Sequence, residues 1–128
     1  MIVLDASVLI AHLESTDAHH RRATELLVDA ADDQLGVSPI TMAEILVGPA
    51  RTHQLDRVQA LLDELGVIAV PLTDDSPARL ANLRATTRLP LPDCCVLLAA
   101  ETARTTLVTF DDRLAKAAAD LGLHVRSV

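Results

Sequence analysis

Aromatic side chains are almost absent from this chain of 128 residues, which has no tryptophan, no tyrosine and a single phenylalanine, Phe110. Half of the residues are nevertheless hydrophobic, so the core must be built from aliphatic side chains. The longest uninterrupted apolar run, from Cys94 to Ala100, is far shorter than the ~20 residues that span a bilayer. The composition therefore argues against a transmembrane helix, and it leaves little opportunity for stacking on nucleic-acid bases.

Cysteine is also scarce, and the two cysteines, Cys94 and Cys95, are adjacent. A disulfide framework and a zinc site both need other spacings and more ligands, so we interpret these residues as buried, reduced thiols. Asp5 interrupts the apolar start of the chain at once, which is not typical of a secretory signal peptide. We therefore expect a cytoplasmic protein, and the length predicts a single domain over residues 1–128.

Positive charge is the third deficit, because the formal net charge is −7 and Lys116 is the only lysine. General nucleic-acid binders normally present a basic face, so an acidic chain can contact RNA only through local basic clusters. The candidate RNA-binding residues are Arg113 with Lys116, Arg84 with Arg88, and the stretch 19–22. For each of these clusters, an ordinary solvated helix face is the alternative explanation.

Short apolar segments alternate with longer amphipathic segments, a pattern typical of βαβ units and a parallel sheet. The predicted strands are Ile2–Asp5, Leu35–Ser38, Val67–Val70, Thr106–Thr109 and His124–Arg126. The predicted helices cover residues 6–14, 17–31, 38–47, 55–65, 75–88, 93–103 and 111–121. Asp17 is expected to cap the second helix, and Gly48-Pro49 is expected to end the third.

Four acidic residues lie where such a sheet would bring them together: Asp5, Glu44, Asp93 and Asp111. Ligands of open α/β sheets bind at the carboxyl ends of the strands, and clustered carboxylates without a basic partner suit Mg²⁺ or Mn²⁺. Helix capping is the alternative for Asp5, Asp93 and Asp111 taken singly, and Glu44 could complete a capping box with Thr41. Glu44 has apolar neighbours and no Lys or Arg within a helical turn, and a buried charge needs a partner. We therefore favour a shared metal site for phosphodiester hydrolysis.

Four short motifs surround these acids in a fixed order along the chain. They are Asp5-Ala6-Ser7, the segment Ser38–Ile45, Leu91-Pro92-Asp93 before an Ala-rich helix, and Val108-Thr109-Phe110-Asp111. This order resembles the PIN-domain ribonucleases, and most closely the VapC toxins of bacterial VapBC toxin–antitoxin pairs. The resemblance covers essentially the whole chain. It implies a PIN-like three-layer α/β/α domain with a central, mainly parallel sheet of about five strands.

The same resemblance implies a function. It implies an Mg²⁺- or Mn²⁺-dependent endoribonuclease that cleaves RNA with a metal-activated water and so inhibits translation. It assigns metal binding and catalysis to the matching acids Asp5, Glu44, Asp93 and Asp111. Ser7 and Thr109 match supporting hydroxyl positions, while Asp112 either lines the rim or replaces Asp111 as the fourth ligand. A cognate VapB-like antitoxin and a homodimer are the implied partners.

Two other classes of protein share some of these features. A catalytically silent PIN-shaped module would bind RNA or an antitoxin without cutting. A phosphoacceptor receiver domain is also a small parallel α/β domain with acids at its sheet edge. It needs an acid pair after the first strand and a lysine at a late strand end, whereas Asp5 is followed by Ala6-Ser7 and Lys116 lies within a predicted helix.

Overall fold

The computed structural model describes residues 1–127, which form five strands and seven helices. The strands are β1 (Ile2–Leu4), β2 (Leu35–Val37), β3 (Val67–Ala69), β4 (Thr106–Thr109) and β5 (Val125–Ser127). The helices are α1 (Ala6–Leu13), α2 (His20–Asp29), α3 (Pro39–Arg51), α4 (Leu55–Glu64), α5 (Ser76–Thr87), α6 (Leu91–Ala103) and α7 (Asp112–Asp120). Every predicted element is present, and none of the helices within 1–127 is long and apolar enough to cross a membrane.

The five strands form one parallel sheet in the order β3-β2-β1-β4-β5. β1 is central, and Ile2 pairs with Leu35 on one side and with Thr106 on the other. Because successive side chains of a strand point to opposite faces, Leu4 and Val3 are buried in separate cores. The predicted α/β class with a central five-stranded parallel sheet is confirmed.

Helices cover both faces of the sheet, as a parallel sheet requires. Helices α1 to α4 contribute Leu9 and Leu62, among others, to the core on one face. Helices α5 to α7 contribute Leu97 and Leu114, among others, to the core on the opposite face. The structure therefore has three layers, and its largest fully buried side chains are leucines, valines and two threonines.

Three helix boundaries differ notably from the prediction, and the remaining differences are of one or two residues. α2 begins at His20 and not at Asp17, because the Asp17 carboxylate accepts the N–H of His19 in a turn before the helix. α3 continues through Gly48-Pro49 to Arg51, although Pro49 cannot donate to the carbonyl of Ile45 and its ring crowds that carbonyl. α6 begins two residues before Asp93, because Pro92 is tolerated in a first turn.

The chain changes direction across the sheet beside β1. It runs from β1 to β2 and β3 on one side and then crosses to β4 and β5 on the other. The carboxyl ends of β1 and β4 therefore flank the switch point at which open α/β sheets bind their ligands. Asp5 directly follows β1, and Asp111 follows β4 after Phe110.

Candidate active site

Asp5 is a buried carboxylate whose two oxygens are both held by hydroxyl groups. It occupies the N-cap position of α1, and only 6% of its surface is exposed. Ser7 Oγ donates to Asp5 Oδ1 at 2.5 Å, and Thr109 Oγ1 donates to Asp5 Oδ2 at 2.5 Å. No capping hydrogen bond from the carboxylate to α1 is complete, although the backbone N–H groups of Ser7 and Val8 lie close enough to lower its pKa.

The two hydroxyls also connect the neighbouring segments of backbone. The N–H of Phe110 donates to Ser7 Oγ at 3.4 Å, and the N–H of Asp111 donates to Thr109 Oγ1 at 2.9 Å. The segment after β4 is thereby tied to the segment after β1. Ser7 and Thr109 are placed where they orient Asp5.

Burial raises the pKa of Asp5 above its ordinary value. The hydroxyls of Ser7 and Thr109 oppose this rise by donating to the carboxylate. The backbone N–H groups of Val8 and Ser7 also lower the pKa from nearby, without completing a capping hydrogen bond. Burial outweighs all of these contributions, so the charged form of Asp5 is disfavoured in the folded protein.

Glu44 and Asp93 belong to the same electrostatic cluster. Glu44 lies in the second turn of α3, and Asp93 lies in the first turn of α6. Desolvation raises the pKa of Glu44, and the negative charges of Asp93 and Asp5 raise it further. Desolvation also raises the pKa of Asp93, with further increases from Asp111 and Asp5 and a decrease from Arg113. Acids from four separate segments therefore repel one another at this edge of the sheet.

The surroundings of Glu44 differ from those expected from its sequence neighbours. Ile45 is buried, but Glu44 itself is exposed. Glu44 therefore lies off the apolar side of α3, exposed as a residue, while its carboxylate is partly desolvated beside the other acids. The capping box with Thr41 is not formed, because α3 starts at Ser38, whose Oγ accepts the N–H of Ile40 at 3.2 Å.

Asp111 does cap a helix, as the alternative interpretation proposed. Its Oδ1 accepts the N–H groups of Arg113 at 2.9 Å and Leu114 at 3.2 Å at the start of α7. Its charge also acts on Asp93, so capping and membership of the acid cluster are compatible. Asp112 is exposed in the first helical position of α7, and its charge is not among the contributions to the pKa of Asp93.

A metal site must be judged from the donor groups. Within residues 1–127, no three His, Cys, Asp or Glu side chains are positioned so that they could bind one metal ion together. The donors nevertheless fit a hard divalent cation, because they are carboxylate oxygens whose mutual repulsion such a cation would relieve. The assignment of Asp5, Glu44, Asp93 and Asp111 as metal ligands stays a prediction, and it requires side chains to rotate toward a common point.

A basic cleft of about 410 Å³ lies between the end of α5 and α7. Two cations, Arg113 and Lys116, line it together with one carboxylate, Asp120, and with Thr86 and Thr87. Arg113 also lies near Asp93, whose pKa it lowers, so the cleft adjoins the acid cluster. Arg84 and Arg88 of the predicted basic set are exposed at the end of α5 and do not line the cleft.

Comparison with known proteins identifies the fold family. Residues 2–120 match the PIN domain family. The chain belongs to this family. The PIN-domain resemblance of the four motifs is thereby confirmed, and the receiver-domain alternative is removed.

Several solved structures are similar to this PIN domain. A toxin–antitoxin complex from Klebsiella pneumoniae is 30% identical, with a TM-score of 0.69 and coverage of 87% of each chain. VapBC2 from Rickettsia felis, bound to a promoter DNA fragment, is 17% identical, with a TM-score of 0.72 and coverage of 99% and 98%. VapBC-1 from nontypeable Haemophilus influenzae is 15% identical, with a TM-score of 0.74 and coverage of 99% and 98%. No curated protein matches the chain.

Sequence reasoning missed one cluster near the acids of this PIN domain. The ring of Phe110 stacks on the imidazole of His19, with centroids 4.7 Å apart and planes inclined by 16°. The guanidinium carbon of Arg22 lies 5.8 Å from the centroid of the same ring. These residues are about ninety positions apart in the sequence, so only their separate motifs were visible there.

Proposed function

We propose that this PIN domain is a metal-dependent endoribonuclease that acts as the toxin of a type II toxin–antitoxin system. One observation supports the proposal: acids from four segments interact electrostatically near the switch point of the sheet, where desolvation raises the pKa values of Glu44 and Asp93 and the charges of neighbouring acids raise them further. Such repulsion is unfavourable in a protein without a bound cation, and active sites are where it is commonly retained.

Asp5, Glu44, Asp93 and Asp111 are the residues that would hold Mg²⁺ or Mn²⁺. When bound, the ion supplies Lewis acidity that activates water and stabilises charge on the scissile phosphate. Ser7 and Thr109 hold both oxygens of Asp5 in a fixed orientation. The Asp111 backbone is positioned by Thr109, so the same hydroxyl aligns acids that follow two different strands.

RNA would approach the acids along the basic cleft between α5 and α7. Arg113 stands between this cleft and Asp93, and Lys116 lies one turn further along α7. Arg84 and Arg88 would add positive charge at the end of α5. These cations would attract the phosphate backbone to a protein whose net charge is otherwise unfavourable.

The proposed partners follow from the proteins that the chain resembles. A toxin–antitoxin complex is 30% identical to it, so a VapB-like antitoxin is the proposed inhibitor. We also propose a homodimer, because exposed apolar side chains remain on the helices, including Val47 and Leu91. The protein would act as a single domain in the cytoplasm, where its two free thiols stay reduced.

The test is cleavage of total cellular RNA by purified, antitoxin-free protein with and without Mg²⁺ or Mn²⁺, followed by mapping of the new ends. Discrete, metal-dependent cuts are expected from the unaltered protein. Asp5→Asn should abolish them, while Asp112→Asn is the matched control and should cut normally. Full cleavage by the Asp5→Asn protein would refute the role assigned to Asp5.

A catalytically silent module is the second candidate. It is favoured by the absence, within the described residues, of three side chains placed to bind one metal ion. A silent module would bind RNA or an antitoxin but would produce no metal-dependent ends in the same experiment.

A further inference from the structure

The single aromatic residue of the chain lies beside the proposed active site. Phe110 stands between Thr109, which donates to Asp5, and Asp111, which caps α7. Its own N–H donates to Ser7, the other hydroxyl partner of Asp5. The backbone of Phe110 is therefore linked through Ser7 to Asp5, one of the clustered acids.

The ring of Phe110 is covered from the side of α2. His19 lies parallel to it at a centroid distance of 4.7 Å, and Arg22 lies over the ring at 5.8 Å. We call this group the His19–Phe110–Arg22 stack. Phe110 is half-buried against the core on the α1–α4 face, whereas His19 and Arg22 are both exposed.

His19 is exposed, and its planar ring already stacks on Phe110. His19 is the N-cap residue of α2, yet its side chain makes no capping hydrogen bond. Phe110 supports one face of the imidazole, so the ring does not have to be ordered again when a planar ligand stacks on the other. Unpaired nucleobases are such ligands, and each stacked base contributes about 1–3 kcal/mol to binding in other proteins.

We propose that the His19–Phe110–Arg22 stack is a platform for one unpaired nucleobase of the RNA substrate, next to the carboxylate cluster. The stack lies on the α2 side, and the basic cleft lies between α5 and α7. The base packs on His19, and the charge of Arg22 lies beside the adjoining phosphate. This inference rests on the proposed function and adds the residues that would contact one base of the substrate.

Binding measured without divalent metal tests the platform separately from cleavage. Short unpaired RNA is titrated with the full chain in EDTA, and one base at a time is replaced by an abasic site. For the unaltered protein, one abasic position should weaken binding by about 5-fold or more, the lower end of the stacking range. His19→Leu should bind intact and abasic RNA equally, and His19→Phe should restore the difference.

Arg21 offers a matched control on the same helix. It pairs with Glu25 at 3.1 Å, four positions along α2. Arg21→Ala removes the same charge as Arg22→Ala, but because Arg21 pairs with Glu25 it should weaken binding less than Arg22→Ala does, and it should keep the abasic discrimination. Arg22→Ala should weaken binding to intact and abasic RNA alike, because it removes a phosphate contact and leaves the ring stack.

Several results would overturn the platform. These are no measurable RNA binding by the unaltered protein at low salt, equal affinity for duplex and unpaired RNA, and abasic discrimination that survives His19→Leu. If His19→Leu lowers only the melting temperature, the stack is a stabilising contact between α2 and the segment after β4. If it weakens only antitoxin binding, the surface recognises protein.

The platform and the nuclease can fail independently. Abasic discrimination without metal-dependent cuts keeps the platform and removes the nuclease assignment. Metal-dependent cuts without discrimination at any base position keep the nuclease and remove the platform.

Discussion

Two fully buried threonines differ in whether their hydroxyl group has a hydrogen-bond partner, and Thr→Val substitutions measure what that hydrogen bond contributes to stability. Thr109 and Thr41 are both 0% exposed. Thr109 Oγ1 donates to the Asp5 carboxylate at 2.5 Å, whereas Thr41 Oγ1 has no hydrogen-bond partner among the described residues. Valine has almost the same shape as threonine, so neither substitution opens a cavity.

The two variants should therefore change stability by different amounts. A hydrogen bond to a charged group contributes about 1.5–3 kcal/mol, so Thr109→Val should cost about 2 kcal/mol at neutral pH. The N–H of Asp111 also loses its acceptor, but Asp111 is exposed and water replaces the bond. Thr41→Val should be neutral or stabilise the protein by up to about 1 kcal/mol, because it removes an unpaired buried hydroxyl.

Urea unfolding of the three proteins in EDTA at neutral pH measures these free energies. The unfolding slope should be the same in all three, which keeps the comparison a comparison of stability. Equal stability of Thr109→Val and Thr41→Val would show that the hydroxyl of Thr109 does not hold Asp5 in the folded protein. The account of Asp5 orientation would then be wrong.

Other substitutions separate charge, capping and backbone effects. Glu44→Gln should stabilise the metal-free protein at neutral pH, because the pKa of Glu44 is raised in the folded state. The gain in stability should disappear as the pH falls through that raised pKa toward the ordinary value of 4.5, and melting curves recorded across this pH range measure it. Asp111→Asn should keep the α7 cap, so its free energy of unfolding should stay within about 0.5 kcal/mol of the unaltered protein while RNA cleavage is lost. Asp111→Ala should lose cleavage and also about 1 kcal/mol of unfolding free energy in urea. Normal cleavage by Asp111→Asn would show that capping is the whole role of Asp111. Arg104→Gly should stabilise the protein by about 0.5–1 kcal/mol in thermal unfolding, because Arg104 ends α6 with a φ of 51°, a left-handed conformation that glycine adopts without strain. A destabilised variant would contradict this explanation of the helix end.

The strands of the sheet could be predicted from sequence, because the residue types that form each strand are adjacent in the chain. Ile2–Leu4 and Thr106–Thr109 are short apolar strands that end beside Asp5 and Asp111, and parallel strands bring their carboxyl ends to one edge. The capping role of Asp111 was likewise visible in its place before α7. Local residue types and period were sufficient for these features.

Other features depend on contacts that local sequence does not encode. The continuation of α3 past Gly48-Pro49 is not visible in the local sequence; at its end, Thr52 Oγ1 donates to the carbonyl oxygens of Gly48 and Pro49 at 3.3 and 3.4 Å. The exposure of Glu44 depends on the rotation of α3 against the sheet. The stacking of Phe110 on His19 joins two segments that the sheet topology alone brings together.

The pairing of β1 with β4 has a consequence during synthesis on the ribosome. Thr109 holds Asp5 across a separation of 104 positions, and β4 is also the strand that completes the far side of β1. While β4 is still inside the ribosome, the growing chain lacks both the Thr109 hydroxyl that holds Asp5 and the segment that carries Asp111. If the protein is the nuclease proposed above, its cutting centre stays unassembled until nearly the whole polypeptide has emerged, which spares the translating ribosome that makes it.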